Sequence, residues 1–301
     1  HMCTMNINRK PSGCSDFDNM RRIDSAARDG GIAFYTHPGS LKQMGNGLAA
    51  NEMPVAVALG KMPIWDVSYG ALHSFDSAQL KDWYRYLNLG FKLAAAASTD
   101  VYLNNPSVRI AAGQHRTYAK INELSWKEIL KAYRQGRTFI TSGPLLFLRC
   151  GNKLPGDTVS LSGRNRTISL QLDAYSVSGL EKIEILKNGR VISTLMAKGA
   201  REFHKSLTFE IDSTAWLAAR CVGRSGRFLG RLAHTSPIYV KYDKLPIKVN
   251  AADAEYFIDW LERYKKCVKD FCKKRHKKVD EAGKLLDDID KAINVYRGLE
   301  K

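Results

Sequence analysis

No stretch of the 301 residues approaches the roughly 18 consecutive apolar residues that a membrane-spanning helix needs. The opening HMCTMNINRK also lacks the apolar run of a signal peptide. No membrane span is therefore expected. His1-Met2 ahead of Cys3 resembles a cloning remnant, so targeting information upstream is expected to have been cut away. Also missing are GxGxxG, GxxxxGK[ST], GxSxG and HExxH, which leaves dinucleotide, P-loop, serine-hydrolase and zincin chemistry without a motif. Cys3, Cys14, Cys150, Cys221, Cys267 and Cys272 contain no CxxC and no close Cys/His pairing, which argues against a structural zinc site. Their even number permits disulfides in an oxidising compartment, and buried thiols explain the count equally well.

What is present is an ordinary globular balance: 44% apolar residues and 10% aromatics, enough to fill real cores. The formal charge of +17 invites a nucleic-acid partner. Its distribution argues against one. From residue 251 onward 13 Lys/Arg face 11 Asp/Glu, so most of the excess is spread thinly over the first 250 residues. The dense run Lys273, Lys274, Arg275, Lys277 and Lys278 lies in a helical pattern, where a solvated face is the ordinary meaning.

Three regions differ in rhythm. In residues 1–145, GIAFYTHP (31–38) and KLAAAASTD (92–100) read as buried strands. Between them SAQLKDWYRYLNLG reads as a helix with Leu80, Trp83, Tyr84 and Leu87 on one face and Gly90 at its end, so a parallel α/β layer is expected. SWKEILKAYRQG (125–136) opens with a capping-box pattern, Ser125 and Glu128, and closes on Gly136. Residues 146–245 switch to period two, with about seven short strands and an Asn188-Gly189 hairpin signal, as expected of an antiparallel β-sandwich. Residues 246–301 read as two amphipathic helices with too little core to stand alone, a helical hairpin that should pack on another part of the chain.

Residues that could carry chemistry sit at predicted strand ends. His37 follows the first buried strand and Asp100 ends the second, positions where α/β enzymes hold ligands, and an imidazole with a carboxylate can share one divalent ion. Asp66, His73, His115 and Arg116 are further polar candidates, and Thr141 and Ser142 in GRTFITSGP could line a site or satisfy backbone groups.

Taken in order, GIAFYTHPG, NEMPVAVALG with MPIWDV, WYRYLNLGFKLAAAASTD, HRTYAKI and ILKAYRQGRTFITSGPLL resemble the C-terminal portion of a CehA/McbA-type metallohydrolase of the PHP (polymerase and histidinol phosphatase) superfamily. GNKLPGD, EKIEILKNGRVI, WLAARCVG and AHTSPIYV are similar to that family's accessory domain. The resemblance implies an α/β plus all-β chain: a partial PHP-type (β/α) barrel, then the sandwich, then the helical hairpin. It implies a bacterial hydrolase, periplasmic or secreted, whose divalent metal (Zn, Mn or Fe) activates water against an ester, carbamate or phosphate-like centre. His37 and Asp100 correspond to metal ligands of that pattern, with His115 and Arg116 as catalytic candidates, Arg116 orienting an anion. The family's early HxH strand has no counterpart here, so this chain is expected to be weakly active or inactive, and to need either the missing barrel half or self-association to cover its strand edges. The alternative is a non-catalytic module that binds a carbohydrate or a protein on a barrel remnant.

Overall fold

The structure is a computed structural model, and it describes residues 2–7, 17, 19–36, 38, 52–67, 75–99, 104, 112–163, 165–226, 229–276 and 279–299. In chain order the elements are β1 (Met2–Met5), α1 (Asn19–Arg28), β2 (Ile32–Tyr35), α2 (Met53–Ala58), β3 (Ile64–Asp66), α3 (Ala78–Asn88), β4 (Ala94–Ala96) and β5 (Arg116–Ala119). Then come α4 (Trp126–Gln135), β6 (Thr138–Thr141), β7 (Leu145–Arg149), β8 (Thr158–Leu161), β9 (Thr167–Tyr175), β10 (Leu180–Lys187) and β11 (Arg190–Met196). The chain finishes with β12 (Glu202–Glu210), β13 (Ala215–Gly226), β14 (Leu229–Thr235), β15 (Ile238–Tyr242), α5 (Ala251–Lys274) and α6 (Gly283–Leu299). It is thus mixed α/β, rich in antiparallel sheet, with two C-terminal helices. No helix among the described residues is long and apolar enough to cross a membrane.

Contacts divide the chain into two units, residues 1–63 with 249–301, and residues 64–248. The C-terminal helices thus group with the N-terminal residues. In the first unit the C-terminal helices pack on each other and on α2. Phe257, Trp260, Leu261, Tyr264 and Val268 on α5 meet Leu285, Ile289, Ile293 and Tyr296 on α6, the helical spacing of a single apolar stripe. Phe257 stacks on Tyr296 with centroids 5.3 Å apart, and the Tyr296 hydroxyl donates to the Pro54 carbonyl at 2.9 Å.

The same unit corrects one expected pairing. The strand of GIAFYTHP, β2, runs antiparallel to β1, with Met2 opposite Tyr35 and Met5 opposite Ile32. The parallel partner of β4 is instead β3, Ile64 opposite Ala94 and Asp66 opposite Ala96. Helix α3 makes the crossover between β3 and β4, so the expected strand-helix-strand unit exists one strand later in the chain. Ser77 caps α3 by accepting from the Leu80 N–H.

The remainder of the second unit is two sheets around one core. The larger runs β11-β10-β13-β14-β6-β5, with β15 on the other half of β13's edge and β8 parallel to β15; the smaller runs β12-β9-β7. Period-two alternation turns Ile168, Leu170, Leu172 and Ala174 of β9 inward, where they meet Ile183, Ile185, Leu217, Ala219 and Cys221 of the facing sheet. This is the sandwich-like arrangement the strand pattern predicts. Asn188 and Gly189, both at positive φ (51° and 80°), make the β10–β11 hairpin. The central strands β10 and β13 are also buried on their outer face, where α3 lies: the Trp216 indole donates to Asn88 Oδ1 at 2.9 Å.

β6 was expected to close the α/β region, but it pairs with β14 and so belongs to the sandwich's sheet. Helix α4 is half a capping box: Ser125 Oγ accepts from the Glu128 N–H, while Ser125 N–H is taken by Glu123 O and the Glu128 carboxylate by Lys131. Its left-handed C-cap Gly136 lies against Gly156, itself at φ +89° with its N–H on Pro237 O at 2.7 Å. A methyl at Gly156 would overlap the Gln135 carbonyl oxygen. Gly156→Ala should therefore cost at least about 3 kcal/mol, against about 1 kcal/mol for Ser125→Ala, as read from urea melts followed by circular dichroism.

Candidate functional site

The carboxyl ends of a parallel strand pair are where an α/β layer presents polar groups, because the loops that follow are free to diverge there. Asp66 is the last residue of β3 and is fully buried. Its Oδ2 accepts from the Ser98 hydroxyl at 2.9 Å, just beyond the end of β4. Thr99 continues the chain of contacts, donating to the His115 carbonyl at 3.0 Å and accepting from the Gly113 N–H at 3.1 Å. Thr117 on β5 accepts from the Ala97 N–H at 2.8 Å and donates back to the Ala97 carbonyl. The Tyr133 phenol of α4 is raised by burial and further by the Asp66 charge, and Thr117 hydrogen-bonds it. Asp66, Ser98, Thr99, His115, Thr117 and Tyr133 thus occupy one corner of the second unit.

Of the sequence candidates, Asp66 and His115 come to this corner, His115 as a buried imidazole. Arg116 opens β5 and shares the other face of that strand with Tyr118: its Nη1 donates to Gly113 O at 3.1 Å and its guanidinium lies 5.9 Å from the Tyr118 ring centroid. Thr141 and Ser142 satisfy backbone groups, Thr141 donating to Pro144 O and Ser142 accepting from the Leu232 N–H. His37, Asp100 and His73 lie outside the described residues.

A divalent metal asks for about three protein donors. Among the described residues no group of three or more His, Cys, Asp or Glu is placed to hold one. The described part of the corner, an acid already engaged by Ser98 and one imidazole, does not by itself make up that donor set, and no chemical step is derived through a metal.

A second polar cluster carries no sequence signal, being built from residues scattered along a helix and three strands. His234 is fully buried; its Nδ1 donates to the Thr235 carbonyl at 2.7 Å, so Nε2 is the acceptor for the Tyr84 hydroxyl at 2.6 Å. Trp83 and Tyr84 enclose the imidazole, with Phe75 edge-on to it. Arg220 reaches from β13 to Glu184 Oε2 at 2.6 Å and covers the Phe75 ring at 4.3 Å. In the first unit Glu52 is comparably enclosed, accepting from Tyr35 at 2.9 Å and Tyr264 at 2.8 Å, and burial raises its carboxyl. Both clusters are satisfied internally, as structural polar networks are.

No family model and no curated protein matches this chain. Among solved structures it is similar to a Jonesia denitrificans lytic polysaccharide monooxygenase, with 14% identity and a TM-score of 0.21 over 30% of this chain. The match spans 61% of that protein's length, and at such a TM-score it bears neither on fold nor on activity.

Burial pulls His234 down from 6.5 to about 3. The unfolded chain takes up this proton near 6.5 while the folded chain stays neutral, so stability is lost as pH falls from 6.5 toward 3, by up to about 1.4 kcal/mol per pH unit. Urea midpoints measured at pH 7.5, 6 and 5 should fall more steeply for the parent protein than for His234→Gln, which cannot titrate.

Proposed function

We propose that the chain is part of a metal-dependent hydrolase of the PHP type, acting on an ester, carbamate or phosphate-like centre, with its chemistry at the carboxyl edge of β3 and β4. The observation that carries this reading is the parallel β3-α3-β4 unit, with buried Asp66 at the edge and the Ser98-Thr99 pair leading directly into Asp100. That edge is where such an enzyme collects its ligands. The Ser98 hydroxyl fixes the orientation of the Asp66 carboxylate, and Thr99 anchors the turn that carries His115. A metal would supply Lewis acidity and an activated water. Arg116, fixed by Gly113 O, is a cation for an anionic substrate group.

With few donors in this chain, we expect weak metal binding and slow turnover. After dialysis against Zn or Mn, metal content by mass spectrometry should drop at least about tenfold in apparent affinity for Asp66→Asn and for Asp100→Ala, as loss of one of few ligands requires. Hydrolysis of p-nitrophenyl acetate and of bis(p-nitrophenyl) phosphate should fall in parallel. Metal binding untouched by either substitution, with the circular dichroism unchanged, would overturn the reading.

A further inference from the structure

The sandwich is open on the side where the chain leaves one sheet for the other. β6 ends at Thr141, whose hydroxyl donates to Pro144 O at 2.6 Å and accepts from the Gly143 N–H at 2.8 Å, and β7 then starts in the smaller sheet. Between these two legs, with β5 as one wall, lies a groove of about 430 Å³, within the size range of sites for small organic ligands. Three aromatic rings define it. Tyr118 lies parallel to Phe139 with centroids 4.8 Å apart, and Phe147 stands edge-on to Phe139 at 5.4 Å. Tyr118 and Phe147 remain 40% and 45% exposed, while Phe139 is buried.

The charge around the rings has one sign. Lys120, Arg137 and Arg149 line the groove, and among the described residues no acidic side chain does. Asp157 beyond the lining binds Arg137 through Nη2 at 3.3 Å. Arg137 Nε is shielded from solvent and has no hydrogen-bond partner among the described residues. Apart from these cations the lining offers few polar groups, whereas a sugar ring needs hydrogen-bond partners around most of its edge. Flat rings with a cationic rim suit a flat apolar body bearing one negative group.

We propose that this groove is a binding site for a small aromatic carboxylate, its ring against Tyr118 and Phe147, with Phe139 buried beneath them, and its carboxylate on the Arg137, Lys120 and Arg149 cations. The groove's lining includes none of Asp66, Ser98, Thr99 and His115, and binding there requires no metal.

The test is calorimetric titration of the whole chain with 1-naphthoate, beside the neutral 1-naphthamide, cellohexaose and AMP. Naphthoate should bind with a dissociation constant below ~1 mM, and naphthamide about fivefold more weakly, the difference that a charge pair on a solvent-facing rim supplies. Phe147→Ala and Arg149→Gln should each weaken naphthoate at least about fivefold. Both side chains are exposed, so thermal melts should coincide with the parent's; if Phe147→Ala unfolds, Arg149→Gln alone decides. Equal affinity for the amide, no effect of either substitution, no binding of naphthoate, or preference for cellohexaose or AMP would each overturn the assignment.

Discussion

Strand β4 is only three residues long and is flanked by β3 on one side, and among the described residues no strand offers the backbone groups on its other edge a ladder to join. A buried amide or carbonyl without a partner costs about as much as a lost hydrogen bond, and here hydroxyl side chains supply what a strand would. The Ala95 N–H donates to Ser236 Oγ at 2.9 Å, Thr138 Oγ1 donates to the Ala95 carbonyl at 2.7 Å, and the two hydroxyls close the ring at 2.8 Å. Thr117 does the same for both groups of Ala97. Three hydroxyls on or beside the antiparallel sheet thus hold the parallel layer in place. They act within residues 64–248 together with the packing of α3 on the sheet, and Thr117 and Thr99 carry the same hydroxyl contacts on to the polar corner beyond β4.

The same requirement shapes the other interfaces in each unit. Where α3 covers the sheet, its polar tips are matched one by one: Tyr84 to His234, Asn88 to Trp216, Trp83 Nε1 to the Leu93 carbonyl. In the first unit, Tyr35 and Tyr264 both donate to Glu52, which ties β2 and α5 to the start of α2. Such enclosed groups keep the protonation state that burial favours, a neutral His234 above all. By contrast the groove between β6 and β7 leaves Tyr118, Phe147 and Arg149 facing solvent, unlike these closed interiors.

Much of the local structure was legible in the residues. The stripes of α3, α5 and α6, the Ser125 and Gly136 ends of α4, the period-two strands and the Asn188-Gly189 turn all follow from rules that act within a few residues. Asp66 and His115 could be picked out as polar residues near apolar runs, but nothing local shows that Ser98 and Thr99 gather them into one corner. His234 offered no signal, since a single histidine in an alternating strand looks the same whether it faces water or a tyrosine.

Periodicity, caps and turns are short-range, so the sequence by itself determined which segments become helix or strand and which faces they bury. Pairing is long-range. GIAFYTHP and MPIWDV are both short apolar runs able to lie beside AAA, and only the tertiary structure decided for the second, because α3 bridges β3 to β4 while β2 is taken by β1. Likewise TFIT reads as the end of an α/β region until β14 pairs with it and its Thr138 reaches back to β4. Edge groups pair with any donor or acceptor of suitable geometry, and the partners that arrive here lie 20, 43 and 141 positions away.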